Sequence, residues 1–220
     1  MICIINWNWL EVLKKSLEVI KDEGADTIVL DNGSKDGSYE WLSTNGPPKT
    51  ILLPENRGSS VGRNMLIRES QGDILLLDSD ILYIPGSFAY LKKRLSECPP
   101  EIGAIGFNPW LCTYDKHIQH LPSPDAPLHM NDSLRFAPTH YGLFRREVFA
   151  KCSFDENFGV GWGGEDDDLY RQMRKHGYDV RFIDHVFYHA KGTEKWHNQH
   201  SVVANTIPFR RDYLRKKWGR

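Results

Sequence analysis

Through its first half the chain alternates short apolar runs with polar turns. Ile2-Cys3-Ile4-Ile5 is an unbroken apolar run, fit for a buried strand. Leu10, Leu13, Leu17 and Ile20 then recur three and four apart, the stripe of a helix with one covered face. Thr27-Ile28-Val29-Leu30 predicts a second strand that stops at Asp31-Asn32-Gly33-Ser34, and Tyr39, Trp41 and Leu42 predict a brief helix. Thr50 to Leu53 predicts a third strand, Ser59 to Ser70 a helix, and Asp73 to Leu77 a fourth strand running into Asp78-Ser79-Asp80. Beyond Pro85 a helix over Phe88 to Leu95 leads to a strand over Ile102 to Phe107. Elements alternating at these lengths form right-handed βαβ units. The expected fold is therefore α/β, a Rossmann-like, mostly parallel central sheet with helices on both faces.

The rhythm breaks after Phe107. Residues 108–135 are rich in Pro, His and Asp with little periodicity and predict hairpins or loops. Order resumes over Leu143 to Phe149. Glu165 to His176 predicts a helix, and Val180 to Ile183 and Val186 to Tyr188 predict two late strands. No repeat, low-complexity tract or linker divides the chain, so 1–220 is expected to form one domain. Its first half (1–107) has the character of a nucleotide-binding unit, 108–207 would shape an acceptor site, and 208–220 would form a basic C-terminal helix.

Composition narrows the class. Hydrophobic residues make up 40% and charged residues 26%, as in ordinary globular proteins, and a formal net charge of −1 supplies no global field toward nucleic acid or an anionic membrane. Cys3, Cys98, Cys112 and Cys152 are scattered without a Cys-x-x-Cys pair, which favours buried or free thiols in a reducing compartment over zinc or a disulfide framework. No apolar run approaches the ~20 residues of a membrane span. Met1 leads straight into the first apolar run with no signal peptide, so a cytoplasmic location is expected.

Ligands of open parallel sheets bind beyond the carboxyl ends of the strands. Three polar clusters fall at such ends: Asp31-Asn32-Gly33-Ser34, Asn56-Arg57-Gly58 and Asp78-Ser79-Asp80. A lone Asp-Asn-Gly is also an ordinary turn, but three clusters at successive strand ends point to a shared ligand. Two carboxylates one residue apart, placed after Ile74-Leu75-Leu76-Leu77, suit a hard divalent cation, Mn²⁺ or Mg²⁺, that bridges them to a diphosphate. In Gly161-Trp162-Gly163-Gly164-Glu165-Asp166-Asp167-Asp168, the acids at a helix start complement the helix dipole. The dipole does not account for the Gly-Trp-Gly-Gly before them, which offers a flexible backbone and an aromatic face for the apolar side of a sugar ring. Glu165 and Asp166 flank the helix side bearing Leu169 and Met173, and a carboxylate held there suits a general base. His189, just after a late strand, is either structural or a further ligand to the same cation.

Taken in order, these residues resemble the family 2 glycosyltransferases of the GT-A fold. The matching motifs run from Ile2 to about Gly192: the opening Ile-Ile-Asn strand, Val29 to Ser34 with Asp36-Gly37-Ser38, Asn56-Arg57-Gly58 with Gly62-Arg63-Asn64, Asp78-Ser79-Asp80, and Phe154-Asp155-Glu156 before Gly164-Glu165-Asp166. Gly161 to Asp168 is also similar to the acceptor motif of the β-1,4-galactosyltransferases. The resemblance implies a GT-A type fold with a small second antiparallel sheet. It implies an inverting, metal-dependent transfer of a sugar from a nucleotide-sugar, with UDP the expected carrier. The acceptor would be a hydroxyl of a glycan or glycolipid in surface polysaccharide synthesis. Donor-binding positions would be Asn6, Asp31, Asn32, Ser34, Asn56, Gly58, Arg63, Asp78, Ser79 and Asp80, with Asp31 on the base and Asp78 on the ribose or a metal-bound water. Asp80, His189 and Asp78 would serve the metal. Asp166 would be the catalytic base, and Trp162, Gly163, Gly164, Glu165 and Asp167 would shape the acceptor site. Asn6-Trp7-Asn8 departs from the usual Pro-Thr-Tyr-Asn of the base-contacting segment, and the membrane anchor and paired cysteines of animal Golgi galactosyltransferases are not seen.

Other readings are weaker on these residues. A non-catalytic nucleotide-sugar-binding module would lack the metal carboxylates or the base, and both are present. A sugar nucleotidyltransferase needs a Gly-rich loop bearing Arg and Lys after the first strand, where Asn6-Trp7-Asn8-Trp9 stands. The tail carries Arg210, Arg211, Arg215, Lys216, Lys217 and Arg220 against Asp212, with Phe209, Tyr213 and Trp218 interleaved. It predicts an amphipathic helix docked by its aromatics with a solvated basic face. The alternative use of that face is contact with DNA or a membrane surface, as in a phage-type enzyme acting on hydroxymethylated DNA bases.

Overall fold

The structure is a computed structural model and describes residues 1–113, 120–129, 136–161, 163–190, 193, 195 and 207–219. Strands β1 (Ile2–Asn6), β2 (Thr27–Asn32), β3 (Lys49–Leu53) and β4 (Ile74–Asp78) pair in parallel in the order β3-β2-β1-β4. The sheet continues through β8 (Tyr141–Phe144), β5 (Ile102–Phe107), β9 (Asp179–Ile183) and β7 (Leu128–His129). β8 is antiparallel to both neighbours, so a strand from the second half of the chain is inserted between β4 and β5.

Helices cover both faces, as the apolar runs require, because successive strand side chains point to opposite sides. Leu75 and Leu77 of β4 join Ile2 and Ile4 in one layer, with Leu13 of α1 (Leu10–Ile20), Leu42 of α2 (Ser38–Asn45) and Leu91 and Leu95 of α4 (Ser87–Ser96). Ile74 and Leu76 face the other way, onto Cys3, Leu66 of α3 (Ser59–Glu69), and Leu169 and Met173 of α5 (Glu165–Lys175). Each fully buried Leu or Ile contributes about 1.5–3 kcal/mol relative to exposure, so both layers hold β4 at the centre of the sheet. No helix among the described residues is long and apolar enough to cross a membrane.

The ordered stretch expected over Leu143 to Phe149 is present as β8 and a 3₁₀ turn over Arg146–Ala150, and one other expectation is corrected. Arg145 donates to the carbonyls of Ile102, Leu95 and Cys98, and Arg146 to that of Ile67, which bends the chain out of the sheet. The small second sheet, β6 (Cys112–Thr113) with β10 (Phe187–Tyr188), is parallel rather than antiparallel. β5 and β9 are parallel neighbours, and each chain continues past its carboxyl end into β6 or β10, so the extensions keep the same direction. Of the irregular region, β6 and β7 are short strands, while 114–119 and 130–135 lie outside the described residues.

From β1 the chain winds outward to β2 and β3 on one side, while β4 lies on the other. The topological switch point, where open α/β sheets take their ligands, is thus the crevice beyond Asn6 and Asp78.

Candidate active site

A cavity of about 400 Å³ opens at that crevice, within the size range of small-molecule sites. Its walls come from both halves of the chain: the ends of β1 and β4, the start of α3, the turn after β5, and the start of α5.

Asp80 and His189, far apart in sequence, meet because the backbone bridges Ile81 to His189 and the Ala190 N–H donates to the Asp80 carbonyl at 2.9 Å. His189 Nε2 lies 3.2 Å from Asp80 Oδ2. Burial would lower the imidazole pKa, but the Asp80 carboxylate outweighs it and holds His189 up to about 10. Asp78 turns instead to Arg63, whose Nη2 donates to Oδ1 at 2.7 Å. Burial pushes the Asp78 carboxyl up to about 6, with the guanidinium opposing.

Among the described residues no group of three or more His, Cys, Asp or Glu is arranged to hold a metal. Asp78 pairs with Arg63 and Asp80 with His189, so the three expected metal residues stand as two separate pairs. The Asp80–His189 pair still fits a cation. A carboxylate beside an imidazole suits Mn²⁺, which would replace the proton that the pair shares. Asp78, Asp80, Glu165 and Asp166 line the same cavity together with Arg63 and His189.

Of the other expected donor residues, Asn32, Asn56, Gly58, Arg63 and Ser79 line the cavity. Asn6, Asp31 and Ser34 are buried behind it. Asn6 Nδ2 donates to Asp31 Oδ2 at 2.7 Å and to Ser34 Oγ at 3.2 Å, and the Ser34 N–H donates to Asp31 Oδ1 at 2.9 Å, so this trio shapes the turn. Gly58 is left-handed (φ +90°), and a Cβ there would sit 2.3 Å from the Gly159 carbonyl oxygen. Only glycine lets the loop before α5 close against α3 at this point.

At α5, Gly164 (φ +101°) turns the chain into the helix. Glu165 is 7% exposed, and its carboxylate accepts from Ser59 Oγ at 2.9 Å, Arg63 Nη1 at 3.4 Å and Arg210 Nη1 at 3.2 Å. Asp166 lines the cavity, its carbonyl accepting from the Ala137 N–H at 3.0 Å. Burial, reinforced by the charge of Glu165, pushes its carboxyl up to about 7. Gly163 lines the wall, whereas Asp167 is paired with Arg171 at 2.7 Å and does not. Trp162 lies outside the described residues.

The C-terminal helix, α6 (Ile207–Trp218), docks on the body of the protein and leaves Arg211, Arg215 and Lys216 exposed, but it turns two other cations to protein partners. Tyr213 packs edge-on to Phe158 at 5.1 Å and Leu214 is buried, while Phe209 is exposed. Arg210 is buried among protein acceptors, and Lys217 pairs with Asp155 at 2.7 Å and Asp168 at 2.9 Å. Contact of this helix with DNA or a membrane has no observation in its favour.

Several wall residues escape a reading of the sequence alone. Trp7 and Trp9 flank the left-handed Asn8 (φ 62°) after β1, and Trp110 stands on the turn after β5. Their one signal is the departure at Asn6-Trp7-Asn8. His140 lines the same cavity, half-buried, its Nε2 3.0 Å from the Phe107 carbonyl oxygen. Burial, then the His189 charge, lowers its pKa to about 3, so it is neutral.

A cavity lined by carboxylates at the switch point of a mostly parallel sheet lies where open α/β sheets bind their ligands. Residues 1–153 match glycosyl transferase family 2, and the chain belongs to that family. Residues 143–197 match the N-terminal domain of galactosyltransferase. An uncharacterized glycosyltransferase of Bacillus subtilis, YfnE, is 43% identical over 65 residues, 28% of this chain and 17% of that protein. Among solved structures, glucosyl-3-phosphoglycerate synthase from Mycobacterium tuberculosis, in complex with Mg²⁺ and UDP, has a TM-score of 0.63 at 14% identity and covers 95% of this chain and 78% of its own. GalNAc-T7 with UDP, GalNAc and Mn²⁺ has a TM-score of 0.63 at 15% identity over 87% of this chain and 44% of its own. S. aureus TarS (residues 1–349) has a TM-score of 0.56 at 16% identity over 94% and 64%. The fold is GT-A. This chain spans less than two thirds of YfnE, GalNAc-T7 and the TarS fragment.

Proposed function

We propose that this glycosyltransferase moves a sugar, with inversion, from a UDP-linked donor to a hydroxyl of a glycan or glycolipid acceptor, within one domain whose two halves meet at the cavity. The observation that carries the reading is the convergence of the Asp80–His189 pair and Asp166 on one cavity at the switch point. Structural neighbours crystallised with UDP and Mn²⁺ or Mg²⁺ support the choice of carrier and cation.

Mn²⁺ or Mg²⁺ held by Asp80 and His189 would offset charge on the departing diphosphate. Arg63 fixes the Asp78 carboxylate at the donor end of the cavity. Asp166 takes the proton of the acceptor hydroxyl, whose oxygen bonds to the anomeric carbon as the bond to the diphosphate breaks on the opposite face. One displacement inverts the centre without a covalent enzyme intermediate. A carboxylate with a pKa of about 7 is half ionised at neutral pH, the balance of availability and basicity that suits a general base. Gly163 and Asp166 border the acceptor side.

Thermal unfolding against UDP-, GDP-, dTDP- and CMP-sugars, each with Mn²⁺ or with chelator, tests the donor assignment. A ligand at ~100 times its Kd adds about 2.7 kcal/mol to stability. A Mn²⁺-dependent rise with UDP-sugars is expected. No rise with any nucleotide overturns the reading and favours a protein that has lost catalysis.

A further inference from the structure

Arg210 is the largest fully buried side chain among the described residues, at 1% exposure. It enters from α6 and donates from Nη1 to the Gly163 carbonyl at 3.0 Å and to Glu165 Oε2 at 3.2 Å. Its Nη2 donates to the carbonyls of Phe158 and Gly159, both at 2.9 Å. One guanidinium thus ties down both ends of the loop that leads into α5. The other oxygen of Glu165 faces Arg63, and Arg63 in turn holds Asp78 at 2.7 Å. Arg210, Glu165, Arg63 and Asp78 form a chain of alternating charge from the C-terminal helix to the donor end of the cavity. Three of the four are under a tenth exposed.

We propose that Arg210 is a positioning residue of the donor site: by neutralising Glu165 it leaves Arg63 free to orient Asp78. The competition is electrostatic. Glu165 and Asp78 both attract the single guanidinium of Arg63, whose contact to Asp78 is shorter, 2.7 Å against 3.4 Å. In a buried site an uncompensated carboxylate is costly and finds whichever cation it can reach. Without Arg210, Glu165 draws Arg63 away and Asp78 loses its orientation toward the donor. The helix that looked like a contact surface for a partner is then an internal part of the transferase site. The inference rests on the donor reading above.

Calorimetric titration of UDP with Mn²⁺ tests it. Arg210→Met is expected to weaken binding by roughly tenfold, within the usual coupling between contacting groups. Arg210→Met together with Glu165→Gln removes the competing charge, so its affinity is expected to return toward that of the unaltered protein. The double variant also keeps the test decisive if the stranded carboxylate stops Arg210→Met from folding. Lys217→Met is the control. It loses contacts to Asp155 and Asp168 from the same helix but none to Glu165, and is expected to lower stability while binding UDP normally. Unchanged affinity in Arg210→Met, an equal loss in Lys217→Met, or no recovery in the double variant would each overturn the proposal. Failure of the unaltered protein to bind UDP would count against the proposed function instead. Amide hydrogen exchange over 158–165 then decides the clamp alone: faster exchange in Arg210→Met but not Lys217→Met supports it, and equal exchange removes it.

Discussion

At the end of β4, Asp78 and Ser79 are placed by backbone. The Asp78 N–H donates to the His140 carbonyl at 3.0 Å and the Ser79 N–H to that of Ile5 at 3.2 Å, so strand register sets both positions. Across the cavity, Gly163 to Asp166 pairs with no strand among the described residues. That corner is held by left-handed glycines, by the Ala137 N–H on the Asp166 carbonyl, and by Arg210 from a helix at the far end of the chain. A corner set by register keeps its shape when a side chain changes. A corner set by side chains passes each change on to its neighbours, and here the neighbours include Arg63 and Asp78.

The largest expected effect falls on the α5 corner. Asp166→Asn is expected to lower sugar transfer by roughly 10²–10⁴-fold, the usual contribution of a general base, while UDP binding with Mn²⁺ persists. Steady-state turnover beside calorimetry checks both halves, and turnover like that of the unaltered protein would remove Asp166 from the base role. The same residue sets a pH dependence. With its carboxyl pushed up to about 7, the reactive ionised form is lost as pH falls, so kcat/KM is expected to drop about tenfold per unit below pH ~7. A profile flat down to pH 5 would contradict this.

Gly58→Ala probes how the two corners are joined. Its backbone sits at φ +90° with the Gly159 carbonyl in the way of a Cβ, and strain of this kind costs about 1–3 kcal/mol. Urea unfolding is expected to show a lower midpoint, with reduced transfer at temperatures where the variant stays folded. The smallest effect belongs to Lys216→Ala. Its side chain is 77% exposed and pairs only with Asp212 on the surface of α6, so midpoint and affinity are both expected to stay unchanged. A clear loss there would show that more of α6 than Arg210 serves the site.

The contrast between corners also decides what the sequence reveals. Ile74 to Leu77 is a continuous apolar run ended by an acid, so strand, burial and strand-end carboxylate all follow from local pattern. Glu165 and Asp166 are visible as acids at a helix start, but their division of labour is not. What turns Glu165 into a link between arginines is Arg210, 45 residues away, and a lone Arg in a basic tail carries no sign of burial. Asp31 shows the same limit. Its strand-end position is legible, but the Asn6 and Ser34 partners of its carboxylate, 25 and 3 residues away, are not. The direction of the β6–β10 pairing was equally hidden, because two-residue strands have no period and inherit their direction from β5 and β9.

Donor binding, as proposed, rests most on Asp80 and His189 acting together on a cation-bound diphosphate. Titration of UDP into the unaltered protein and Asp80→Asn, each with Mn²⁺ and with chelator, tests that directly. Binding to the unaltered protein that requires Mn²⁺, and that falls by roughly 10–100-fold in Asp80→Asn, is the predicted result. Equal UDP affinity in both proteins, or affinity indifferent to Mn²⁺, would contradict it.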